Sequence, residues 1–254
     1  MIDDLRTNVK TYKYVDDTTL YKITNNPEDD GLQSAVNHVT EWSKMNHMKL
    51  NASKTKEMLI SFARNKPDVP NICVNDVALE RVDCVTLLGV KLCSDLSWHR
   101  HVEYIIKKAQ SRLFCLNLLR RSKVSPKDII MIFQSRIRPI LEYAAPVWHG
   151  GLSNELSDAI EDQQKRAFKI AFPYLDYDQA LLELSMKTLH ERRIKLCSSF
   201  FTKIEDPRDK LYHLLPEQND PSIVTREAKL YPLPLCHTNR YKNSFIPYAL
   251  FNCQ

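Results

Sequence analysis

The sequence predicts an α+β protein, in which a mixed first part is followed by a helical middle and an irregular end. Two observations carry this prediction. Segments rich in β-branched and aromatic residues flank one helical segment up to residue 95. From Ser97 onward, apolar residues recur at the three- and four-residue spacings of amphipathic helices. We therefore expect three regions, at residues 1–95, 96–205 and 206–254.

The first predicted element is a β-hairpin with two adjacent carboxylates at its tip. Residues 9–14 and 18–23 suit strands, and Asp16 and Asp17 lie between them. Carboxylate oxygens are ligands that Mg²⁺ prefers, and nucleotidyl-transfer enzymes use two such ions about 3.5 to 4 Å apart. Because adjacent acids occur elsewhere in the chain, this pair alone leaves both a metal site and an ordinary turn open.

A helix is predicted after the hairpin, and we expect Pro27 to open it. The adjacent acids Asp29 and Asp30 would lie in its first turn, where they complement the helix dipole. Its apolar residues recur every three or four positions and predict one buried face, formed by Leu32, Val36, Val39, Trp42 and Met45.

Further strands are predicted before residue 95. Residues 58–62 have the composition of a buried strand, and residues 72–74 and 77–79 flank an Asn-Asp turn that is typical of a hairpin. Residues 85–92 are predicted to form another strand. The first region is therefore expected to contain a small antiparallel sheet with a packed helix.

The helical middle begins with a long amphipathic segment, whose apolar stripe runs from Val102 to Leu119. Ser125 is predicted to cap the next helix, and Pro146 to close that segment. Two later stripes, at residues 156–171 and 189–204, predict further helices. Trp98 and Trp148 lie in periodic apolar surroundings, so we assign both to packing.

The end of the chain is rich in proline. Six of the thirteen prolines fall between Pro207 and Pro247, interleaved with aromatic residues and without a regular apolar period. We therefore expect residues 206–254 to be extended or partly disordered.

Composition narrows the functional classes. Residues 99–139 hold ten Lys or Arg against two acids, whereas the whole chain carries a net charge of only +5, so the basic character is concentrated. Seven cysteines, an odd number without a Cys-x-x-Cys pair, predict reduced thiols. The start of the chain lacks the pattern of a secretion signal, and no uninterrupted apolar span is long enough for a membrane helix. We expect an intracellular protein of the nucleus or cytoplasm.

The order of these segments resembles the reverse transcriptases of non-LTR retrotransposons, most closely those of the jockey and CR1 type. The segments that carry the resemblance are residues 14–17 (Tyr-Val-Asp-Asp), 48–55, 87–90, 96–102, 138–148 and 240–247. The resemblance implies that residues 1–95 are the C-terminal part of a truncated polymerase palm. It also implies a helical thumb at residues 96–205 and a Pro-rich tail at 206–254.

The resemblance also implies roles for individual residues. Asp16 and Asp17 would bind catalytic Mg²⁺, and Lys54, with Lys49 as the second choice, would protonate the leaving pyrophosphate, although an exposed loop lysine is an equal alternative. Gly89 would lie where the family holds the primer end. Basic residues of the thumb helix would contact template and primer phosphates, unless they form an ordinary solvated face: Lys107, Lys108, Arg112, Arg120, Arg121 and Lys123.

Only thirteen residues precede Tyr14, whereas the family's metal site also uses an aspartate from an upstream strand. Asp3 and Asp4 lie on the same short arm and do not obviously replace it. We therefore expect a fragment of an RNA-directed DNA polymerase that is inactive alone, because that aspartate and the fingers are absent. Its partners would be an RNA template and a DNA primer or an RNA–DNA duplex, with deoxynucleotides as substrates of an intact parent. A non-catalytic nucleic-acid-binding protein and a helical protein-interaction module remain alternatives.

Overall fold

The computed structural model describes residues 4–26, 28–65, 67–219 and 230–254. Its contacts divide the chain into two compact units, residues 1–97 and residues 98–254, which we call the first and the second unit. The first unit contains short strands and one long helix, and the second is helical, in agreement with the predicted α+β class. Within the described residues, no helix is both long enough and apolar enough to cross a membrane.

Eight short strands form in the described part of the first unit. They are β1 (Lys10–Tyr14), β2 (Asp17–Tyr21), β3 (Lys56–Glu57), β4 (Cys73–Val74), β5 (Val77–Ala78), β6 (Glu80–Arg81), β7 (Cys84–Leu87) and β8 (Val90–Cys93). The pairs β1–β2, β4–β5 and β7–β8 are antiparallel, whereas β3–β6 is parallel. The expectation of one small antiparallel sheet is therefore wrong, because the described strands pair as four separate two-stranded sheets.

Two strand predictions differ from the structure in instructive ways. Residues 58–62 form no strand, because β3 ends at Glu57 and its described ladder to β6 ends with it. Arg81 of β6 donates from Nη2 to Glu57 Oε1 at 2.7 Å. Residues 85–92 form a hairpin instead of one strand. The chain reverses at Leu88 and Gly89, and Gly89 takes a φ of 83° that only glycine adopts without strain.

Helix α1 (Gly31–Met45) covers a small core formed by Leu5, Val39 and Trp42. The helix begins at Gly31, so the prediction that Asp29 and Asp30 lie in its first turn is wrong, and Pro27 lies outside the described residues. Asp29 Oδ1 accepts hydrogen bonds from Lys22 Nζ at 2.5 Å and from the Gly31 amide at 2.9 Å. These two donors lower the pKa of Asp29 to about 2.

The second unit contains nine α-helices in its described part. They are α2 (His99–Arg121), α3 (Pro126–Ile132), α4 (Arg138–Glu142), α5 (Ala145–Trp148), α6 (Asn154–Ala171), α7 (Tyr177–Glu183), α8 (Leu189–Ile204), α9 (Asn239–Lys242) and α10 (Phe245–Asn252). A π-helical turn (Phe133–Ile137) joins α3 to α4, and short 3-10 turns cover His149–Gly151 and Tyr212–Leu214. The amphipathic stripes predicted α2, α6 and α8 correctly.

The helix boundaries in this unit follow local capping. Ser125 Oγ accepts a hydrogen bond from the Asp128 amide at 3.2 Å, as the predicted N-cap requires. Pro146 lies in the first turn of α5, so the prediction that it closes a helix is wrong. Helix α7 was not predicted, although Asp176 and Gln179 form a capping box at its start.

Both tryptophans of the second unit have the predicted packing role. Trp148 is fully buried and donates from Nε1 to the Tyr143 carbonyl at 3.0 Å. Trp98 lies directly against Gly151, where an added Cβ would be 2.5 Å from the indole Nε1. A side chain at Gly151 would therefore displace Trp98.

The tail is partly helical, contrary to the expectation of an extended segment. Ala249 and Leu250 of α10 are buried with Phe201 of α8 and with Tyr231. Gln254 Oε1 accepts a hydrogen bond from the Tyr231 amide at 3.0 Å. Residues 220–229 of the predicted tail lie outside the described residues.

Candidate metal-binding hairpin and nucleic-acid interface

The predicted aspartate pair lies at the tip of the β1–β2 hairpin. The strands pair Tyr14 with Asp17, which leaves Val15 and Asp16 as a two-residue turn. Val15 has a φ of 56°, in the left-handed region that such turns use. Both Asp16 and Asp17 are exposed. The hairpin thus places the two carboxylates next to each other and open to solvent.

One face of this hairpin is packed and the other is not. Lys13 Nζ donates to the Leu5 carbonyl at 2.8 Å, and Leu20 packs against the small core of the first unit. On the opposite side, Tyr12 and Tyr21 stack with ring centroids 5.9 Å apart. Tyr12 and Tyr14 are each 63% exposed. The hairpin therefore presents aromatic rings to solvent beside the carboxylates.

The described residues do not complete a two-metal site around this pair. No group of three or more His, Cys, Asp or Glu side chains in the described part of the chain is placed to hold a metal ion. Asp4 Oδ2 accepts a hydrogen bond from Trp42 Nε1 at 3.3 Å, and Asp3 lies outside the described residues. Two carboxylates from one turn supply only one side of the coordination that two Mg²⁺ ions require.

Lys54 lies in a tight loop that Asn51 organises. Asn51 Oδ1 accepts from the Lys54 amide at 3.2 Å, and the Asn51 carbonyl accepts from Thr55 Oγ1 at 2.9 Å. The side chains of Lys54 and Lys49 are both exposed. Within the described residues, no hydrogen bond or ion pair joins Lys54 to Asp16 or Asp17, so the structure does not bring the predicted proton donor onto the carboxylates.

Gly89 lies at the turn of the β7–β8 hairpin, whose base carries a disulfide. The register places Cys84 opposite Cys93, with the two Cα atoms 4.0 Å apart, and the structure joins them. The prediction that all thiols are reduced is therefore wrong for this pair. The sequence could not reveal it, because the pairing depends on the hairpin register and residues 85–92 were expected to be one strand.

The predicted cations of α2 do not share one face. Arg112 Nη1 donates to the Arg136 carbonyl at 2.8 Å, and Lys108 Nζ lies 4.4 Å from the centroid of the Tyr104 ring. Arg120 instead faces α6 and lines a groove between the two helices. The remaining predicted cations are exposed: Lys107, Arg121 and Lys123. Of these six predicted residues, Arg120 lines the groove, and the other five do not line it.

The groove between α2 and α6 contains cations that the sequence reasoning missed. It has a volume of about 580 Å³, and its polar lining comes from Gln110, Asn117 and Arg120 of α2 and Arg166 and Lys169 of α6. The first half of α6 carries acids, so a count of charge along the chain shows no basic excess in this helix. Arg166 and Lys169 are three residues apart, a spacing that places them on one face of a helix, and this spacing was the available signal.

A buried polar cluster ties α6 to α8. Glu161 accepts hydrogen bonds from the amides of Leu189 at 2.9 Å and His190 at 3.0 Å, and from the Tyr177 hydroxyl. Its carboxylate therefore stabilises the N-terminus of α8. Burial and this hydrogen bond raise the pKa of Tyr177. The side chain of Glu161 serves the fold and is not available to a ligand.

Arg193 and two histidines lie in the same interior. Arg193 is fully buried and donates from Nη2 to Ser157 Oγ at 2.7 Å. Burial lowers its pKa, against the attraction of nearby carboxylates. Burial lowers the pKa of His101 to about 4, and burial together with the Arg193 charge lowers that of His149 to about 4. Both histidines are therefore neutral at physiological pH.

Comparisons with known proteins agree with the resemblance found in the sequence. The chain is 21% identical over 202 residues to the "Probable RNA-directed DNA polymerase from transposon X-element" of Drosophila melanogaster. The aligned region covers 78% of this chain and 22% of that protein. It is 28% identical over 121 residues to the "RNA-directed DNA polymerase from mobile element jockey" of Drosophila funebris, covering 47% of this chain and 13% of that protein. The predicted resemblance to non-LTR retrotransposon reverse transcriptases is confirmed.

The chain spans about a fifth or less of the length of these curated relatives. No protein-family model matches the chain. No solved structure matches it either.

Proposed function

We propose that this chain is a fragment of the RNA-directed DNA polymerase of a non-LTR retrotransposon, and that its 254 residues bind nucleic acid without polymerising alone. The observation that carries the proposal is the Asp16–Asp17 turn, present at a hairpin tip in a chain similar to two such polymerases. Mg²⁺, an RNA template, a DNA primer and deoxynucleotides belong to the activity of the intact polymerase.

The incomplete carboxylate set supports the absence of activity. Two Mg²⁺ ions stabilise the attacking and leaving oxygens only when several carboxylates hold both ions. The described residues offer the adjacent pair Asp16 and Asp17, and no third acidic side chain joins them. The chain by itself is therefore expected to bind Mg²⁺ weakly and to leave primer ends unextended.

The charge distribution supports nucleic-acid binding. Helix α2 and the segment after it are strongly basic, and most of these cations are exposed on a helical unit with a large core. Lysine and arginine side chains on such a scaffold bind phosphates without reading sequence. This property does not need the metal site, so a non-catalytic binding role stands even if the chain never polymerises.

Primer extension tests the proposal. The complete chain is incubated with an RNA template annealed to a DNA primer, Mg²⁺ and deoxynucleotides, beside the Asp16→Asn variant as control. We expect no template-dependent product from either protein. Extension by the unsubstituted chain that disappears in Asp16→Asn would show that the carboxylate pair is catalytically sufficient, and the proposal of inactivity would be wrong.

Binding is measured in parallel with a B-form DNA duplex at several salt concentrations. We expect the logarithm of the association constant to fall with the logarithm of salt by about 0.9 for each phosphate that a protein cation neutralises on B-form DNA. A chain that binds no nucleic acid at low salt would contradict the binding half of the proposal. The alternative of a helical protein-interaction module would then be favoured.

A further inference from the structure

We infer that the groove between α2 and α6 binds a single-stranded segment of nucleic acid, with phosphates at Arg120, Arg166 and Lys169 and bases stacked on Phe114 and Tyr174. This inference rests on the proposed function and names the surface and the form of nucleic acid that it uses. The surface differs from the one predicted from the sequence, which included Lys108 and Arg112.

The first support is charge without compensation. Arg120, Arg166 and Lys169 line the groove, and no carboxylate of the described residues lines it with them. None of the three takes part in an ion pair within the described residues. By contrast, Lys165 Nζ lies 2.9 Å from Asp162 Oδ1, and Arg112 is anchored on the Arg136 carbonyl. An uncompensated cluster of cations favours an anionic partner.

The second support is that the cations of α6 border two depressions. Arg166 and Lys169 also line a second depression, of about 300 Å³, which reaches Leu175 and Asp176 at the turn before α7. The only acid of this depression in the described chain is Asp176. Its Oδ1 accepts a hydrogen bond from the Gln179 amide at 2.7 Å as the N-cap of α7. The carboxylate therefore interacts with the helix N-terminus and not with Arg166 or Lys169.

The third support is a pair of exposed aromatic rings beside these depressions. Phe114 lines the α2–α6 groove and is 61% exposed, and Tyr174 is 98% exposed immediately before Leu175 in the chain. Neither ring contacts another described aromatic ring. Stacking on such a ring tolerates any base, because every base has a π-face.

These features select a single strand over a duplex. In a duplex the bases are stacked on each other, so their faces cannot reach Phe114 or Tyr174. A single strand can place its bases on both rings while its phosphates contact Arg166 and Lys169, the two residues shared by the depressions. Ribose and deoxyribose strands share this chemistry, and the experiment separates them.

The experiment measures fluorescence anisotropy of labelled oligonucleotides with the complete chain. Three probes of the same sequence are used: a single-stranded RNA, a single-stranded DNA and a DNA duplex. The variants Phe114→Leu and Tyr174→Leu keep an apolar side chain but remove the ring. Each is expected to weaken single-strand binding about tenfold and to leave duplex binding unchanged.

Charge is tested with the double variant Arg166→Gln/Lys169→Gln. It is expected to reduce the salt slope for single strands by about 1.4, because each phosphate contact contributes about 0.7. The matched control is Lys127→Gln/Lys195→Gln, which removes the same charge from exposed positions of α3 and α8 that line neither depression. The control is expected to bind within twofold of the unsubstituted chain.

The outcomes separate this inference from the proposed function. Salt-sensitive binding that survives the groove substitutions as well as it survives the control would overturn the inference and leave the proposed function intact. Tighter binding of the duplex than of either single strand would overturn the choice of ligand. Failure of the unsubstituted chain to bind any probe would remove the inference and the binding half of the proposed function together.

Discussion

The two units of this chain support their candidate functional side chains in different ways. In the second unit, Phe133, Trp148 and Leu116 are fully buried in one continuous core, and the cations project from long helices over it. In the first unit, Leu5, Val39 and Trp42 form a small core, and the carboxylates lie at the tip of a two-stranded hairpin. A binding surface built on packed helices does not need the hairpin in order to keep its geometry.

Phosphate binding and metal catalysis make different demands on the fold, so the first can persist in a polymerase-like chain without the second. Phosphate binding needs only cations on a stable scaffold, whereas metal catalysis needs carboxylates from several strands at fixed distances. The second unit meets the first requirement, and the described residues of the first unit do not meet the second.

Truncation of the large core is expected to have the largest effect. Phe133 is fully buried in the second unit, so Phe133→Ala should lower the free energy of unfolding of that unit by about 3 to 5 kcal/mol. Hydrogen exchange followed by mass spectrometry reports each unit separately. Met131→Ala, at a position 59% exposed in the same helical segment, is the control and should change the stability by less than about 0.5 kcal/mol.

An equal loss of hydrogen-exchange protection in residues 1–97 of the Phe133→Ala variant would contradict the claim that the two units are stable independently. It would mean that the first unit depends on the core of the second.

Removal of the buried carboxylate of Glu161 is expected to come next. Glu161→Ala leaves the Leu189 and His190 amides and the Tyr177 hydroxyl without their acceptor, at a cost of about 3 kcal/mol to the second unit. Glu161→Gln keeps an acceptor oxygen and should cost less. Hydrogen exchange of peptides from residues 98–254, followed by mass spectrometry, measures both variants. Equal effects of the two variants would show that the hydrogen bonds are not the cause.

The buried histidines predict a pH dependence of the second unit. His101 and His149 have pKa values of about 4 in the folded chain, below the ordinary value of 6.5, so the unfolded chain binds more protons between these values. The part of the unfolding free energy that depends on keeping both histidines neutral is fully present above pH 6.5 and is lost as the pH falls towards 4. The loss should reach about 2 to 3 kcal/mol for each histidine, at about 1.4 kcal/mol per pKa unit.

Urea unfolding at pH 7.0, 6.0 and 5.0 checks this dependence. In the His149→Gln variant the stability should fall less steeply with decreasing pH, because the glutamine takes up no proton when the chain unfolds, whereas the buried His149 does. His213→Gln, at an exposed position, is the control. The same pH dependence in all three proteins would assign it to other groups.

The turn of the β7–β8 hairpin is expected to show the smallest effect. Gly89 has a φ of 83°, so Gly89→Ala should destabilise the hairpin by about 1 to 2 kcal/mol. Thr86→Ala, at an exposed position of β7, is the control. Hydrogen exchange of peptides from residues 84–93 measures the change. An effect in the second unit as large as in the hairpin would contradict the independence of the two units.

The sequence predicted the long helices because their apolar periods repeat over many turns. It missed α7 and α10, whose short lengths carry little periodic signal, even though Asp176 and Gln179 marked the start of α7. The strand at residues 58–62 was predicted from composition, but no strand pairs with it. Pairing partners are properties of the fold, as the Cys84–Cys93 disulfide also shows.

In the candidate site too, local features could be predicted and features that depend on helix packing could not. The Asp16–Asp17 turn could be predicted because a hairpin is a local structure, and the structure bears out that the two residues are adjacent at its tip. The groove could not be predicted, since Arg120 and Arg166 meet only when α2 packs on α6. The sequence predicted Arg120 together with Lys108 and Arg112, which do not line the groove, and it did not predict Arg166 or Lys169.

Lysine footprinting tests the central claim, that nucleic acid binds the second unit and not the carboxylate hairpin. The complete chain is acetylated at low salt with and without a single-stranded oligonucleotide, and the modification of each lysine is read by mass spectrometry. We predict protection of Lys169 in the groove, with Lys10 and Lys54 of the first unit and Lys195 of α8 labelled as in the free chain. Protection of Lys10 and Lys54 with Lys169 unchanged would contradict the account.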